Sequence, residues 1–267
     1  MFIREALNLK KSAFISLVGA GGKSTLFSLL AREIIEEKKK LILTTTTHML
    51  TRQLIPFIEK GVLIESDNEE ITENLINKWF KKAKHRELIL VHHRLKSELG
   101  EKVAGPSPLF LSKCWKSGIA DYFLVESDGA RGRSIKAPGS HEPVICKSTT
   151  DVIGVIGIDA LGSTLNEKSV FRPHLFSELT GMKMEEKISI DAITALICHP
   201  MGLFKNAPLY SKCHLFINKV DNDSRKKMAK KLAVQVLKYN SKKIDDITIG
   251  SGCNEIKPVI EAIKRSQ

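Results

Sequence analysis

The stretch of sequence that decides the fold is Phe14-Ile-Ser-Leu-Val-Gly19-Ala-Gly-Gly-Lys23-Ser-Thr-Leu26. An apolar run typical of a buried strand leads into glycines, and a lysine with two hydroxyl residues then opens a helix. Glycines let backbone N–H groups approach phosphate oxygens closely. The helix N-terminus adds a partial positive charge and Lys23 adds a full one. The stretch therefore predicts a phosphate-binding loop.

Each position of this loop has an expected role. The residues expected to bind nucleotide are Gly19, Ala20, Gly21, Gly22, Lys23, Ser24 and Thr25. Lys23 is also a candidate catalytic residue, and the hydroxyl of Ser24 is a candidate Mg²⁺ ligand. Only Ala20 and Gly21 separate the first glycine from the Gly-Lys pair, so the loop is shorter than the strict motif. A tight turn capped by Ser24 would explain the glycines, but not the lysine followed by Ser-Thr.

Apolar runs rich in branched residues alternate with longer amphipathic stretches, which predicts an α/β fold. We expect a three-layer, P-loop NTPase-like domain over residues 1–267, with a mostly parallel sheet and helices on both faces. A small insertion at 92–120 or 160–210 stays open. The predicted strands are Phe14–Val18, Leu41–Thr45, Val62–Glu65, Glu87–Val91, Tyr122–Glu126, Val152–Gly157, His214–Asn218 and Ile247–Gly250. The predicted helices are Ser24–Lys38, Asn68–Lys82, Ile188–Cys198, Asp223–Tyr239 and Asn254–Lys264, and 105–108 and 127–140 are predicted loops.

Composition narrows the function classes. The net charge of +12 would suit nucleic acid, but aromatic residues are 6% and no nucleic-acid-binding motif accompanies the basic residues, so that partner is not expected. The apolar runs are too short to span a bilayer and no signal peptide is evident, so we expect a cytoplasmic protein without a membrane partner. The five cysteines lack a CxxC pair and are expected to be reduced thiols. The adjacent His92 and His93 show no partner cluster in the sequence.

Two carboxylates follow the predicted strand at Tyr122. Glu126 ends that strand and Asp128 lies two residues later. Ligands gather at the carboxyl ends of strands in open α/β sheets, where a carboxylate holds Mg²⁺ or orients an attacking water. We expect Asp128 to be a metal ligand and Glu126 to orient the nucleophile, which makes both candidate catalytic residues. A solvated pair at a strand end is the alternative.

The loop after these carboxylates is rich in cations. It carries Arg131, Arg133, Lys136 and His141 among glycines and prolines. These residues predict a second anion-binding surface, and a merely exposed loop is an equal alternative.

A base-reading motif is the third candidate. The strand ending at Asn218 continues as Asn218-Lys219-Val-Asp221, which resembles the guanine-reading motif of GTPases. Asn218, Lys219 and Asp221 are therefore candidate nucleotide-binding residues, with Ser251 in the loop after the next strand. The alternative is a polar turn in which Asp221 or Asp223 caps the following helix. The Asp-x-x-Gly pattern of GTPases is absent because Gly129 directly follows Asp128.

Taken together, the chain resembles the YqeC family of selenium-dependent hydroxylase accessory proteins. The segments that carry the resemblance are 18–26, 44–48, 125–131, 136–138, 141–144, 157–162, 171–173 and 217–221. The Glu-Ser-Asp-Gly-Ala and His-Glu-Pro segments are more specific than the phosphate loop. The resemblance implies a role in maturing molybdenum hydroxylases, and hence such an enzyme or its maturation proteins as partners.

The resemblance also gives a role to two further stretches. Thr44 to Thr47 and His48 follow the second strand, where hydroxyl groups could meet metal or the terminal phosphate. Arg172 could neutralise transition-state charge and is a candidate catalytic residue, although a structural ion pair would explain it as well.

These observations lead to one main hypothesis and two alternatives. The main hypothesis is a Mg²⁺-dependent accessory protein that binds and hydrolyses a nucleoside triphosphate, GTP or ATP. The first alternative is an ATP-dependent ligase or kinase for a small acidic metabolite, because the short loop is similar to that of Mur-type ligases. The second is a nucleotide-gated chaperone or scaffold without catalytic activity.

Overall fold

The computed structural model describes residues 1–54, 57, 62–82, 87–98, 100–239 and 244–264. The strands are β1 Ala13–Gly19, β2 Leu41–Thr45, β3 His48–Leu50, β4 Val62–Glu65, β5 Glu87–Val91, β6 His93–Ser97, β7 Gly100–Ala104, β8 Tyr122–Glu126, β9 Ile135–Lys136, β10 Asp151–Gly157, β11 Val170–Phe171, β12 Lys212–Asn218, β13 Asp246–Gly250 and β14 Val259–Lys264. The α-helices are α1 Ile3–Ala6, α2 Lys23–Glu36, α3 Glu69–Lys82, α4 Pro108–Lys116, α5 Pro173–Thr180, α6 Ile190–Cys198 and α7 Asp223–Lys238.

Within the described ranges, nine strands form one large sheet in the order β14-β13-β12-β10-β1-β8-β2-β5-β4. Every neighbouring pair is parallel except β13 and β14. The strand that leads into the phosphate loop, β1, lies directly between β8 and β10. The predicted mostly parallel sheet is confirmed.

The two faces of the sheet are covered by different helices. Alternate side chains of β1 show the division: Ile15 packs in a core with α1 and α2, whereas Phe14 packs in a core with α4. A third core joins β10, β12 and β13 to α5, α6 and α7. Because a parallel sheet must be covered on both sides, its strands read as continuous apolar runs. The predicted three-layer arrangement is confirmed.

One predicted helix is wrong. The stretch Asn254–Lys264 has no helix in the structure, and its second half forms β14, which pairs antiparallel with β13. Val259 and Ile263 are four residues apart, a spacing that would place them on one face of a helix. In the structure they instead contact core residues on opposite faces of the sheet. Pairing with β13 satisfies backbone groups that would otherwise lie open along that strand.

Elements that the sequence did not predict include a small sheet and helix α4. Strands β3, β7 and β6 form a small antiparallel sheet, for which no strand was predicted. Helix α4 begins at Pro108, the last residue of a predicted loop, and the hydroxyl of Ser107 accepts a hydrogen bond from the Phe110 amide. Proline suits the first position of a helix because its missing N–H would have no partner there.

Two structural observations concern the cysteines and the length of the helices. None of the five cysteines forms a disulfide bond in the described structure. Burial raises the pKa of the Cys114 and Cys146 thiols to about 12, so neither forms a thiolate near neutral pH. Within the described ranges, no helix combines the length and the apolar character needed to cross a membrane.

A buried histidine joins three strands at the amino-terminal edge of the sheet. The imidazole Nε2 of His214, on β12, lies 2.9 Å from Asp151 at the start of β10. Its Nδ1 lies 3.2 Å from Asp246 at the start of β13. Burial alone lowers the pKa of His214, but the two carboxylates outweigh burial and raise this pKa above its ordinary value of 6.5. The folded state therefore favours the imidazolium form.

The fold should accordingly lose stability as the pH rises. A raised histidine pKa contributes stability that is complete below about pH 6.5 and disappears as the pH passes the folded-state pKa. We expect the free energy of unfolding in urea to fall from pH 6 to pH 9 in the unmodified protein, and His214→Gln to flatten that slope. Equal slopes for the two proteins would contradict the assignment, and His174→Gln, at an exposed site, is the matched control.

Candidate functional site

A cavity of about 480 Å³ lies where β1 meets α2, at the carboxyl edge of the parallel strands. It is lined by residues 20–25, His48, Leu50, Arg52, Gln53, Lys102, Glu126, residues 129–133 and Lys219. The phosphate loop, the acidic strand end, the cationic loop and the lysine of the base-reading motif thus meet at one place. The small sheet formed by β3, β7 and β6 contributes His48, Leu50 and Lys102 to this lining.

The backbone of the phosphate loop corrects part of the prediction. The amide of Gly19 donates to Asp128, that of Ala20 to Val155 and that of Gly21 to Arg133. These three amides are therefore occupied by the protein and do not form an anion cradle in this structure. Among the described residues, the amides of 22–25 have no acceptor, because they form the first turn of α2, whose first intrahelical bond runs from Leu26 to Gly22. The available cradle lies at the helix N-terminus.

The glycines are needed chiefly for close packing. A Cβ on Gly21 would lie 2.1 Å from the Gly157 nitrogen, and one on Gly22 would lie 2.1 Å from Asn218 Nδ2. A Cβ on Gly19 would lie 2.4 Å from the Val155 oxygen. All three have positive φ, a region that side chains disfavour. The glycines therefore seat the loop against β10 and β12.

Lys23 is buried, and its ammonium group points back into the protein. Its Nζ donates to the Gly19 carbonyl and lies 3.0 Å from Asp128 Oδ1. The side chain is 4% exposed and still lines the cavity. An incoming phosphate would therefore compete with Asp128 for the ammonium group.

Asp128 begins a chain of buried charges that leads away from the cavity. Its Oδ2 lies 3.1 Å from Lys136 Nζ, which in turn lies 2.7 Å from Glu142 Oε2. Glu142 also pairs with Arg172, whose guanidinium stacks 4.7 Å from the centre of the Phe171 ring. Burial alone raises the pKa of Glu142, but its bonds to Arg172 and Lys136 hold this pKa down at about 2.

This chain changes the interpretation of two predicted residues. Arg172 is not among the described residues that line the cavity, and its ion pair with Glu142 is the structural alternative to a role at the transition state. Lys136 was expected in a second anion-binding surface, but its side chain is fully buried. Its ammonium group forms ion pairs with Asp128 and Glu142 and donates a hydrogen bond to the Gly129 carbonyl. His141 is exposed and outside the cavity lining, so only Arg131 and Arg133 of that predicted surface face the cavity.

Glu126 is the only acidic side chain among the described residues that line the cavity. Its Oε2 is buried without a hydrogen-bond partner there. Burial, together with the nearby Asp128 carboxylate, raises the pKa of Glu126 to about 7, although Lys23 and Lys136 lower it. A carboxyl group with a pKa near neutrality can exchange a proton with water at physiological pH.

The rim of the cavity is strongly cationic. Lys219 donates to Ser134 at 2.6 Å and pairs with Asp159 at 2.9 Å. Arg52, Lys102 and Arg131 have no carboxylate partner in the described part of the chain, although Arg131 lies 5.4 Å from the Phe171 ring centre. Sequence reasoning missed Arg52 and Lys102, because no local pattern marks them and only the small sheet brings them to the cavity. Such a rim favours a polyanion.

The hydroxyl groups near the cavity are largely engaged by the protein. Ser24, the predicted metal ligand, accepts a hydrogen bond from Gln53 Nε2. The hydroxyls of Thr44, Thr45 and Thr46 donate to backbone carbonyls. The threonine run therefore fixes the end of β2 against its neighbours, and His48 is the residue of that stretch that lines the cavity.

The base-reading candidates occupy the adjoining strand ends. Asn218 Nδ2 donates to the Gly21 carbonyl and its Oδ1 accepts from the Gly252 amide, both at 2.8 Å. This side chain ties the phosphate loop to the loop after β13. Asp221 accepts from the Ser251 hydroxyl at 2.5 Å and from Arg225 at 2.8 Å. The cap of α7 is Asn222, so neither Asp221 nor Asp223 fills that structural role.

Comparison with known proteins identifies the family. A family model described as "YqeC protein" matches residues 15–174. The chain belongs to the YqeC family. A relative from Escherichia coli (strain K12), described as "Uncharacterized protein YqeC", is 32% identical over 210 residues, which cover 79% of this chain and 77% of the relative. The matched region contains the phosphate loop, both strand-end carboxylates and Arg172, whereas the base-reading segment lies beyond the family match.

Proposed function

We propose that this YqeC-family protein binds the Mg²⁺ complex of a nucleoside triphosphate in the cavity and hydrolyses it while assisting the maturation of a molybdenum hydroxylase. The observation that carries the proposal is the meeting of an open helix N-terminus, a cationic rim and one near-neutral carboxyl group in one cavity. A triphosphate matches these features because helix N-termini and arginine side chains both favour phosphate oxygens. The maturation role rests on the resemblance to the family.

The binding step follows from the free donors. The amides of Gly22 to Thr25 donate hydrogen bonds to the β- and γ-phosphate oxygens, and the ammonium group of Lys23 turns from Asp128 to the phosphate. Asp128 keeps Lys136 and the Gly19 amide as partners when Lys23 leaves, so its charge is not stranded. The positive rim offsets the charge of the incoming polyphosphate.

Oxygen donors at the cavity suit Mg²⁺, which prefers hydroxyl, carboxylate and phosphate oxygens. Ser24 and Asp128 are the residues proposed to hold it: Ser24 lines the cavity, and Asp128, which lies behind Lys23 and outside the lining, would become accessible when Lys23 turns to the phosphate. Glu126 Oε2 is buried at the cavity without a hydrogen-bond partner, and an unpartnered carboxylate oxygen of this kind supports a bound cation or its water ligands there. Bound Mg²⁺ would neutralise charge on the β- and γ-phosphates.

Glu126 supplies the proton chemistry. Its carboxylate orients a water molecule and accepts a proton as the water oxygen bonds to the γ-phosphorus and the bond to the β-phosphate oxygen breaks. The products are a nucleoside diphosphate and inorganic phosphate. Lys23 stabilises the charge that develops on the transferred group.

The rim favours a second candidate function in the same cavity. Arg52, Lys102 and Arg131 lack carboxylate partners in the described chain, and such cations could hold an acidic acceptor beside the triphosphate. This arrangement suits the ligase or kinase alternative. Phosphate release without any added acceptor separates hydrolysis from that reaction.

Lys23→Ala should weaken triphosphate binding about 10- to 100-fold, because a charged donor to phosphate is lost. Isothermal titration calorimetry with GTP and ATP in the presence of Mg²⁺ measures this change. Removing one partner of a buried pair also destabilises the fold, so melting curves of Lys23→Ala, and of Lys23→Ala with Asp128→Asn, which removes both charges, check that the variants are folded. Lys227→Ala, at an exposed site on α7, is the control. Unchanged affinity in both Lys23 variants would refute the phosphate site.

Glu126→Gln should leave triphosphate affinity nearly unchanged and slow phosphate release about 10²- to 10⁴-fold, because the isosteric amide cannot accept the proton. In the unmodified protein the turnover rate should rise with pH and level off above about 7, where burial sets the pKa of this carboxyl group. The variant should lack that inflection. A pH profile with the same inflection in both proteins would exclude Glu126 as the base.

Asp221 should determine whether the protein prefers the guanine or the adenine nucleotide. Its carboxylate can accept hydrogen bonds from two donors on the guanine edge that adenine does not offer, while Arg225 and Ser251 hold it in place. We expect Asp221→Ala to remove a preference for GTP over ATP of about 10- to 100-fold. Asp223→Ala, an exposed neighbour, is the matched control. Equal affinity of the unmodified protein for both nucleotides would eliminate guanine recognition.

A further inference from the structure

The geometry points to a second binding site, for a transition-metal ion with nitrogen and oxygen ligands, formed by Asp67, His92 and His93. Asp67 Oδ1 lies 3.5 Å from His92 Nε2 and 3.8 Å from His93 Nδ1. One ligand atom from each residue lies within 4.8 Å of the other two. The sequence showed the two adjacent histidines, but only the fold brings a carboxylate to them.

Both arms of this cluster are tied to neighbouring strand ends. Asp67 follows β4, whose last residue pairs with Val91 at the end of β5. His92 is the single residue between β5 and β6, and its amide donates to the Ala104 carbonyl at 2.8 Å. The cluster therefore lies at the connection between β5 of the large sheet and β6 of the small sheet.

The local charges leave the carboxylate available. Arg94 is the neighbouring strong cation, and it is occupied by Glu65 at 2.9 Å and Glu101 at 3.0 Å. Within the described residues Asp67 has no lysine or arginine partner, so only imidazole groups face its oxygen. An arrangement of two imidazoles and one unneutralised carboxylate is stabilised by a cation between them.

The donor set selects the class of ion. Zinc takes imidazole nitrogen and carboxylate oxygen at about 2.0–2.2 Å, which puts tetrahedral ligands about 3.4 Å apart, close to the two measured separations. Mg²⁺ prefers oxygen donors alone, so this site differs in chemistry from the one proposed at the phosphate loop. The side chains are partly exposed, at 35% for His92, 48% for His93 and 75% for Asp67, which leaves coordination positions open to water.

The site also has a defined position relative to the cavity. In the small sheet, Ala104 pairs with His48 on one side and with His93 on the other. Adjacent strands are about 4.8 Å apart, which places the backbones of His48 and His93 about 10 Å apart. His48 lines the cavity, so a metal at His93 would brace the sheet that forms the cavity wall.

The test uses the full chain, stripped of metal with a chelator, in a Cys253→Ser background that removes the exposed thiol. Zn²⁺ is titrated in competition with a chromophoric chelator. We expect one Zn²⁺ per chain, and His92→Ala with His93→Ala should weaken binding more than about tenfold, since removing even an outer partner of a ligand costs roughly 10–100-fold. Asp67→Asn, which keeps the side-chain shape, should weaken binding as well. Zn²⁺ should raise the melting temperature of the unmodified chain but not of the double variant.

The control variant carries His141→Ala and His174→Ala, two exposed histidines elsewhere, and should bind Zn²⁺ like the unmodified chain. The proposal is overturned if the unmodified chain takes up no Zn²⁺ at micromolar concentration. It is equally overturned if the His92 and His93 double variant keeps the original stoichiometry and affinity. Neither result depends on nucleotide binding, so the metal site and the proposed NTPase activity stand or fall separately.

Discussion

The carboxylate of Asp128 is the contact on which the arrangement of the site depends. It is almost fully buried, it accepts the Gly19 amide, and it lies within 3.1 Å of the ammonium groups of both Lys23 and Lys136. A buried charge is tolerated only when its partners compensate for lost hydration. Asp128 therefore fixes the phosphate loop, the start of α2 and the chain after β8 relative to one another.

The same requirement explains why the ion pairs continue beyond the cavity. Lys136 is fully buried and needs more than Asp128 to offset its own desolvation, which Glu142 and the Gly129 carbonyl provide. Glu142 in turn pairs with Arg172, a partly exposed residue at which water can complete the solvation. Charges of alternating sign thus connect the phosphate loop to the surface. These ion pairs give a structural role to Lys136 and Glu142, which lie in two of the segments that carry the family resemblance.

Glu126 is buried like Asp128, but its side chain has no ion-pair partner in the described structure. Each oxygen of Asp128 lies within 3.1 Å of a lysine ammonium group, whereas Glu126 Oε2 has neither a hydrogen-bond partner nor an ion-pair partner in the described structure. Burial raises the pKa of Glu126 to about 7. The two carboxylates, two residues apart in the chain, therefore lie in different surroundings: Asp128 contacts two lysine ammonium groups, whereas Glu126 faces the cavity. A buried carboxyl group whose pKa lies near neutrality is typical of a site of acid–base chemistry.

The sequence by itself determined the features that depend on local chemistry. The turn from β1 into α2 needs glycines at positive φ and a helix that starts at Lys23, so Gly19 to Lys23 could be placed from their spacing. The parallel strands could be found because burial on both faces requires continuous apolar runs. Only the tertiary structure decided the strand order, the edge strand at Val259–Lys264 and the partners of each charge. Lys23 meets Asp128, Arg52 and Lys102 reach the cavity, and Asp67 reaches His92 through packing between segments far apart in the chain. Local pattern cannot encode such pairings, since the free energy of a buried charge depends on what the whole fold places beside it.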